Sequence, residues 1–286
     1  MWFLTAVLSA FTFGLAGFMM KVSSAKNGSV LYLLWGLYFS GTLGFLWWMY
    51  MTDTVTLTWP IVLSGIVIGI GSAFGNLLFM KALDCGPASL TSPLVNSNIV
   101  FTLMMSLLVF NETLSTSEIM GVVLLLLAVM MLPVDPNEEL RIRNIKWYGL
   151  VVIATILFFL RNGGLKITDE MNLPNTPVLL IGYLLGLFWF SIDIMRKRLF
   201  SFRSVKIKIG LYWGIISGVF SFAGMQLYAQ ALMEGPASIV APIFAASSLI
   251  VALLSILIYR ERLSAIQSIC LLLLFSGLIL IRISSS

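Results

Sequence analysis

The side chains able to do chemistry in this chain are few. They are amides and hydroxyls set at helical spacing inside apolar runs. Ser72 and Asn76 continue a row begun by Gly65 and Gly69, and Ser89, Ser92 and Asn96 recur at i, i+3 and i+7. Ser221 follows Gly214 and Gly218, while Gln226 and Gln230 make another face; Ser238, Ala241, Ala245 and Ser248 share one more. Residues three, four and seven apart lie on one side of a helix. In lipid such a row either lets helices pack closely or lines a polar cavity. The glycines read as packing positions. Asn76, Asn96 and Gln226 read as cavity residues, because an amide in hydrocarbon costs free energy unless something partners it. Tyr228, like Tyr38, Trp35, Trp189 and Trp213, is deep enough in its run either to stack on a ligand or to pack. The candidate substrate-binding set is Ser72, Asn76, Ser92, Asn96, Ser221, Gln226, Tyr228 and Ser248.

This set can hydrogen-bond a solute, but it is poorly equipped to break bonds. The chain has no histidine and only 12 acids. Asp84, Glu112, Glu118, Asp193, Glu234 and Glu261 all fall at helix ends or in loops, so general-base and zinc constellations lack raw material. Cys85 and Cys270 make no CxxC and sit in separate hydrophobic regions, so neither a metal cluster nor a disulfide is expected. No Walker-type GxxxxGK[ST] occurs, which leaves ATP drive unsupported. No cofactor is expected.

The elements that position these residues are membrane spans. The chain has 286 residues, 59% hydrophobic and 10% charged, with a mean hydropathy of +1.02. Soluble domains are about 45–50% apolar and about 25% charged. Too few polar side chains remain to cover a water-facing surface, and disorder needs low hydrophobicity. A span takes about 20 apolar residues, so ten helices with short turns use nearly the whole length. They read as Trp2–Met20, Val30–Met51, Pro60–Leu83, Pro87–Phe110 and Thr116–Leu132. After a charged, turn-rich stretch, Pro133–Lys146, come Trp147–Leu165, Pro177–Met195, Ile209–Met233, Pro236–Tyr259 and Ser264–Ile283. Met1-Trp2-Phe3 opens without a basic region and without an evident cleavage site after it, so this stretch reads as the first span.

An internal repeat organises the spans. ALDCGPASL (Ala82–Leu90) returns as ALMEGPASI (Ala231–Ile239), 149 residues on. At that offset Pro93 matches Pro242, Glu112 matches Glu261, Leu114 matches Leu263, and Gly65, Gly69 and Gly75 match Gly214, Gly218 and Gly224. At the start of each half the offset is 145, matching Trp2 to Trp147 and Lys21 to Lys166. Residues 1–132 and 147–286 are thus two five-helix units joined by residues 133–146. An odd number of helices per unit turns the second upside down, an inverted-topology plan common among secondary transporters. The expected fold is an all-α integral membrane protein of ten helices in two inverted repeats.

Loops after odd-numbered spans hold 14 Lys and Arg, and the other side holds 3, namely Arg161, Lys166 and Arg282. Basic residues collect in the cytoplasm. The count therefore places both termini outside, and it explains the net charge of +5 without a nucleic-acid partner.

Pro93 and Pro242 lie inside the fourth and ninth spans, where a proline removes a hydrogen bond and bends a helix. They are the expected hinges. Pro87 and Pro236 read as first-turn prolines. Ser115-x-x-Glu118 and Ser264-x-x-Gln267 read as capping boxes. Glu112 and Glu261 read as turn caps that pair with Arg260 or Arg262. Lys21 and Lys166 either snorkel to the interface or gate or bind an anionic group. Arg161, beside Gly163-Gly164, either stays in the span or reaches the cavity. Trp2, Trp47, Trp48, Trp59 and Trp147 read as interface anchors.

The paired GPASL…P with FNETLS, and GPASI…P with YRERLS, resemble the drug/metabolite transporter superfamily, specifically ten-helix EamA-type carriers. The resemblance spans essentially the whole chain. It implies alternating access around a cavity lined by the first four helices of each unit, with the fifth and tenth peripheral. It also implies transport of metabolites, amino acids or related solutes, often outward. It implies cytoplasmic termini and basic residues after the second span, whereas Thr52–Trp59 has none. No substrate-specific motif matches.

The expectation is a multi-pass secondary carrier of the cell membrane that exports or exchanges a small amino acid-like, polar or zwitterionic solute. Its partners are that solute and the bilayer; the coupling ion is open, and a monomer can suffice because two units are fused. Multidrug efflux is the alternative, although cation/proton antiport normally needs a buried carboxylate. A lipid-modifying membrane enzyme is the alternative from another class.

Overall fold

A computed structural model describes residues 1–53, 56–85, 91, 94–131, 145–197, 204–259 and 265–284. All elements among them are helical. In the first half these are α1 Trp2–Ala25, α2 Val30–Met51, α3 Trp59–Cys85, α4 Asn98–Leu108 and α5 Thr116–Met131. In the second half they are α6 Lys146–Glu170, α7 Asn175–Arg196, α8 Val205–Glu234, α9 Ala237–Ala245, α10 Ser247–Tyr259 and α11 Ala265–Ser284. Six of them, α1, α2, α3, α6, α7 and α8, are long and apolar enough to cross a membrane. Leu94–Leu108, Thr116–Ala128 and Ala237–Val251 are shorter apolar helices.

Hydropathy located the spans, but the helices run past them. α1 continues five residues beyond Met20 and α6 five beyond Leu165. Polar residues leave the hydrocarbon without ending the hydrogen-bond ladder. What ends these two helices is local chemistry. Asn27 and Asn172, one repeat offset apart, both adopt φ 54°. Gly28 N–H bonds Ser23 O and Asn27 N–H bonds Ser24 O; Leu173 and Asn172 do the same to Thr168 and Asp169. This is the Schellman closure, which asparagine tolerates. At α5, Glu118 Oε2 accepts from Ser115 N–H at 2.7 Å and Ser115 Oγ accepts from Glu118 N–H at 3.3 Å, the expected reciprocal cap. Its counterpart at Ser264 lies outside the described residues.

The stretch expected as one span, Pro236–Tyr259, is two helices. Pro242 sits inside α9 with no N–H to give, and the ladder is interrupted at Ala246 before α10 resumes. Leu249 N–H bonds Ala246 O, three residues back. In the first half, Ser97 is a turn between the helical residues 94–96 and α4, and Val100 N–H bonds Ser97 O in the same way. Ser97 and Ala246 are 149 residues apart, the repeat offset. Pro93 lies outside the described residues, as does most of the charged connector.

The halves exchange partners. α1 and α2 of the first half pack chiefly on α8 of the second; α6 and α7 of the second pack chiefly on α3 of the first. α5 and α11 pair with each other. Glycine makes these approaches possible. A Cβ on Gly69 would stand 2.7 Å from the Gly182 Cα, and one on Gly36 would stand 3.0 Å from the Ile215 N and Leu211 O. The glycine stripes therefore serve close helix contact.

Candidate functional site

A cavity of about 140 Å³ opens between the halves. From the first half, Phe13, Ala16 and Gly17 of α1 and Asn76 and Phe79 of α3 face it. Asn96 and Asn98 face it from either side of the Ser97 turn, and Ala245 and Ser247 from either side of Ala246. Phe158, Arg161 and Asn162 of α6 and Ser221 of α8 complete the polar and aromatic wall. An interrupted helix leaves backbone groups without intrahelical partners, which lipid does not tolerate and a wet cavity does. Both interruptions border this cavity.

Four chemical features define it. First, tyrosines hold two of the cavity residues. Tyr38 OH and Ser72 Oγ are 2.8 Å apart, and Asn76 Nδ2 donates to Tyr38 OH at 3.0 Å. Tyr183 OH and Ser221 Oγ are 2.6 Å apart. Second, a chain of amides runs along one wall. Arg161 Nε donates to Asn162 Oδ1 at 3.0 Å, Asn162 Nδ2 to Asn98 Oδ1 at 2.8 Å, and Asn98 Nδ2 to Val95 O at 2.7 Å. Third, Arg161 is buried, with 7% of its surface exposed. Its guanidinium lies 4.6 Å from the Phe158 ring centroid and 5.5 Å from that of Phe13. Phe13 and Phe158 are themselves one offset apart. Fourth, no Asp or Glu lines the cavity among the described residues.

At one end of the bundle the two halves are tied together. Glu112, between α4 and α5, accepts from the Ala237 and Ser238 N–H groups at 3.0 and 2.9 Å. These are the first residues of α9, where the helix dipole also favours an anion. Lys166 Nζ lies 3.0 Å from Glu112 Oε1 and 2.6 Å from Glu170 Oε1. Burial pushes the Glu112 carboxyl up, but hydrogen bonds from Ser238, Lys166 and Ala237 outweigh it and hold the group below its ordinary value. The tie is on the side of Trp2, whose ring packs against Gly235. That side is the one poor in Lys and Arg.

Of the expected binding set, Asn76, Asn96 and Ser221 line the cavity. Ser72 stands just behind, bonded to Tyr38 and bordering a small void shared with Arg161 and Tyr183. Gln226 is turned away, its amide exchanging hydrogen bonds with Thr176 at 3.1 and 3.3 Å. Tyr228 is fully buried and stacks on Phe244 at 4.3 Å. Ser248 bonds Ala245 O at the end of α9, and its neighbour Ser247 faces the cavity instead. Ser92 lies outside the described residues. The expected partners of Glu112, Arg260 and Arg262, also lie outside them, and Lys166 takes that place. Lys166 is buried rather than snorkelling, whereas its counterpart Lys21 is exposed. Trp147 is not an interface anchor, since it is 2% exposed and donates to Thr91 Oγ1 at 2.8 Å.

Asn98 and Asn162 also face the cavity, outside the expected binding set. Asn98 sits two residues off the Ser89–Ser92–Asn96 row, a spacing that points it to another face of a regular helix. The Ser97 turn brings both asparagines to one cavity. The signal was an amide directly beside an intramembrane arginine.

Apolar helices of spanning length around an interior cavity define a multi-pass membrane protein. The sequence model of the EamA-like transporter family matches residues 1–133 and again residues 145–283. The chain belongs to that family. An uncharacterized transporter of Methanothermobacter thermautotrophicus is 23% identical over 213 residues, which is 74% of this chain and 62% of that protein. The chain thus spans about three-fifths of that relative's length. One solved crystal structure superposes with a TM-score of 0.71, covering 98% of both chains at 15% identity. That likeness concerns the fold.

Proposed function

We propose that this protein is a secondary carrier of the cell membrane that exports or exchanges a small polar metabolite by alternating access. In this reading ten spans form two inverted five-helix units, and α9 with α10 counts as one broken span. The observation that carries it is the cavity itself: a pocket with amide, hydroxyl and guanidinium groups set among apolar side chains, flanked by helix interruptions at equivalent positions of both halves, which is where repeat transporters place substrate. Partner exchange between the halves supports the inverted arrangement. Asn76, Asn96 and Ser221 bind solute, with Asn98, Asn162 and Ser247 beside them.

Pro93 and Pro242 act as the bending points. The Glu112 tie closes the basic-poor end in this state, while Met20 and Phe79 line the cavity toward the ends of α1 and α3 that lead into basic loops. By the positive-inside rule the closed end is extracellular. Drug-sized pockets run to about 300–1,000 Å³. A cavity of about 140 Å³ favours a small metabolite over multidrug efflux.

The test is solute screening of the purified protein by thermal shift, followed by counterflow of each hit in proteoliposomes. Saturable counterflow of at least one hit is expected. Stabilising solutes that never exchange across the bilayer would overturn the carrier reading.

A further inference from the structure

Arg161 is charged at any accessible pH, buried, and without a carboxylate. Among the described residues its one side-chain hydrogen bond goes from Nε to Asn162, and none makes an ion pair with it. The contrast with Lys166 is direct, because that buried cation has two carboxylates within 3.0 Å. A buried charge in a membrane interior needs a counter-charge or water. Among the described residues none supplies a counter-charge, and the guanidinium faces a cavity.

Its orientation is fixed. Asn98 holds Asn162, Asn162 holds Nε, and Phe13 and Phe158 flank the guanidinium plane's surroundings. The terminal nitrogens are left as a fork, the geometry that grips a carboxylate with two parallel hydrogen bonds. The position 145 residues earlier is Ala16, which also lines the cavity. The repeat therefore contributes one cation, not a pair, and a single negative charge neutralises it. The rest of the wall includes Phe79, Ile99 and Phe244, which suit an apolar substituent. A cavity near 150 Å³ accommodates a benzene-sized molecule.

We propose that Arg161 is the anchoring cation of the substrate site, and that the solute is a small monocarboxylate with a short apolar substituent. This deepens the carrier reading and rests on it. The carboxylate sits on the Arg161 terminal nitrogens, amides of Asn76 and Asn96 reach its polar edge, and the hydrocarbon part lies against the phenylalanines.

The test uses the full chain in detergent and compares butyrate and benzoate with butyramide, benzamide, butylamine and inorganic phosphate. Carboxylates are expected to raise Tm with saturation, and their isosteric amides and the amine to do so at least ten-fold more weakly. Arg161→Lys keeps the charge without the fork and should weaken carboxylate binding about ten-fold or more; Arg161→Gln should abolish it. Amides stabilising the wild type as well as acids would overturn the proposal, even if neither variant folds. A response to phosphate alone would overturn it as well. Carboxylate binding that depends on Arg161 but never gives counterflow would sustain the anion site and sink the carrier. Counterflow of an uncharged solute that survives Arg161→Gln would do the reverse.

Discussion

Tyr38 and Tyr183 meet at the centre of the molecule with ring centroids 5.2 Å apart and planes at 59°. They are 145 residues apart, and the serines they bond, Ser72 and Ser221, are 149 apart. The two halves thus contribute the same tyrosine–serine pair from equivalent positions, and the pairs touch. The contact couples the halves beside Arg161 rather than at the lipid face.

Removing either hydroxyl strands its partners in a buried place, at about 1–3 kcal/mol per unsatisfied group. Tyr38 OH serves both Ser72 and Asn76, while Tyr183 OH serves Ser221. Tyr38→Phe is therefore expected to lower stability more than Tyr183→Phe. Because the rings are in contact, the double variant should depart from additivity. Denaturation in detergent micelles measures all three. Equal losses, or strict additivity, would show that the pairs act independently.

The Glu112 tie should be pH-dependent. Its carboxylate form is favoured in the folded protein, since the group is held below its ordinary 4.5. Its stabilisation is fully present above that ordinary value and drains away as pH falls through the lowered one. Glu112→Gln should cost about 1–3 kcal/mol and flatten the acid limb of the stability profile. Glu170 still partners Lys166, which limits the loss. The same variant should favour opening at this end. A cysteine placed at Ser247 should then react faster with a membrane-impermeant thiol reagent added from the basic-poor side. A profile unchanged by Glu112→Gln would place the acid transition elsewhere.

Spans, repeat and the residues at the cavity were legible to different degrees. Runs of about 20 apolar residues announce crossing helices, so the long spans could be read directly. Asn27 and Asn172, not hydropathy, decide where α1 and α6 stop. Asn76, Asn96 and Ser221 reach the cavity wall, as a polar residue on an apolar face has few places to go. Periodicity names a face, however, and not its neighbour. Gln226 shares the polarity argument with Asn76, yet Thr176 lies opposite and satisfies it. Whether Arg161 had a counter-charge depended on which helices surround it, and that follows only from the exchange of partners between halves.

Close packing at Gly69 should make that position intolerant of added volume. A Cβ there meets the Gly182 backbone at 2.7–2.9 Å, where no rotamer change gives relief. Overpacking typically costs about 1–3 kcal/mol, and Gly69→Leu should exceed Gly69→Ala. Both should lower Tm together with folded yield, without altering any cavity side chain. Gly149, where a Cβ meets nothing within 4 Å, is the control. Substitution by alanine there should leave stability unchanged or slightly raised. Equal behaviour at the two positions would remove the packing role assigned to Gly69.

Pro242 tests whether a broken helix is needed for movement. An alanine at this position restores an N–H that can bond the Ser238 carbonyl, four residues back. The Ser238–Pro242 turn should straighten, and helix propensity alone should favour the change. Pro242 is buried in a tight wall, so some repacking cost offsets this gain. The expected result is near-unchanged Tm with counterflow reduced several-fold. If Pro242 serves only to fill its niche, Pro242→Ala should lower Tm by leaving a void while transport per folded molecule stays the same. Measuring both quantities on one preparation separates a hinge from a packing residue.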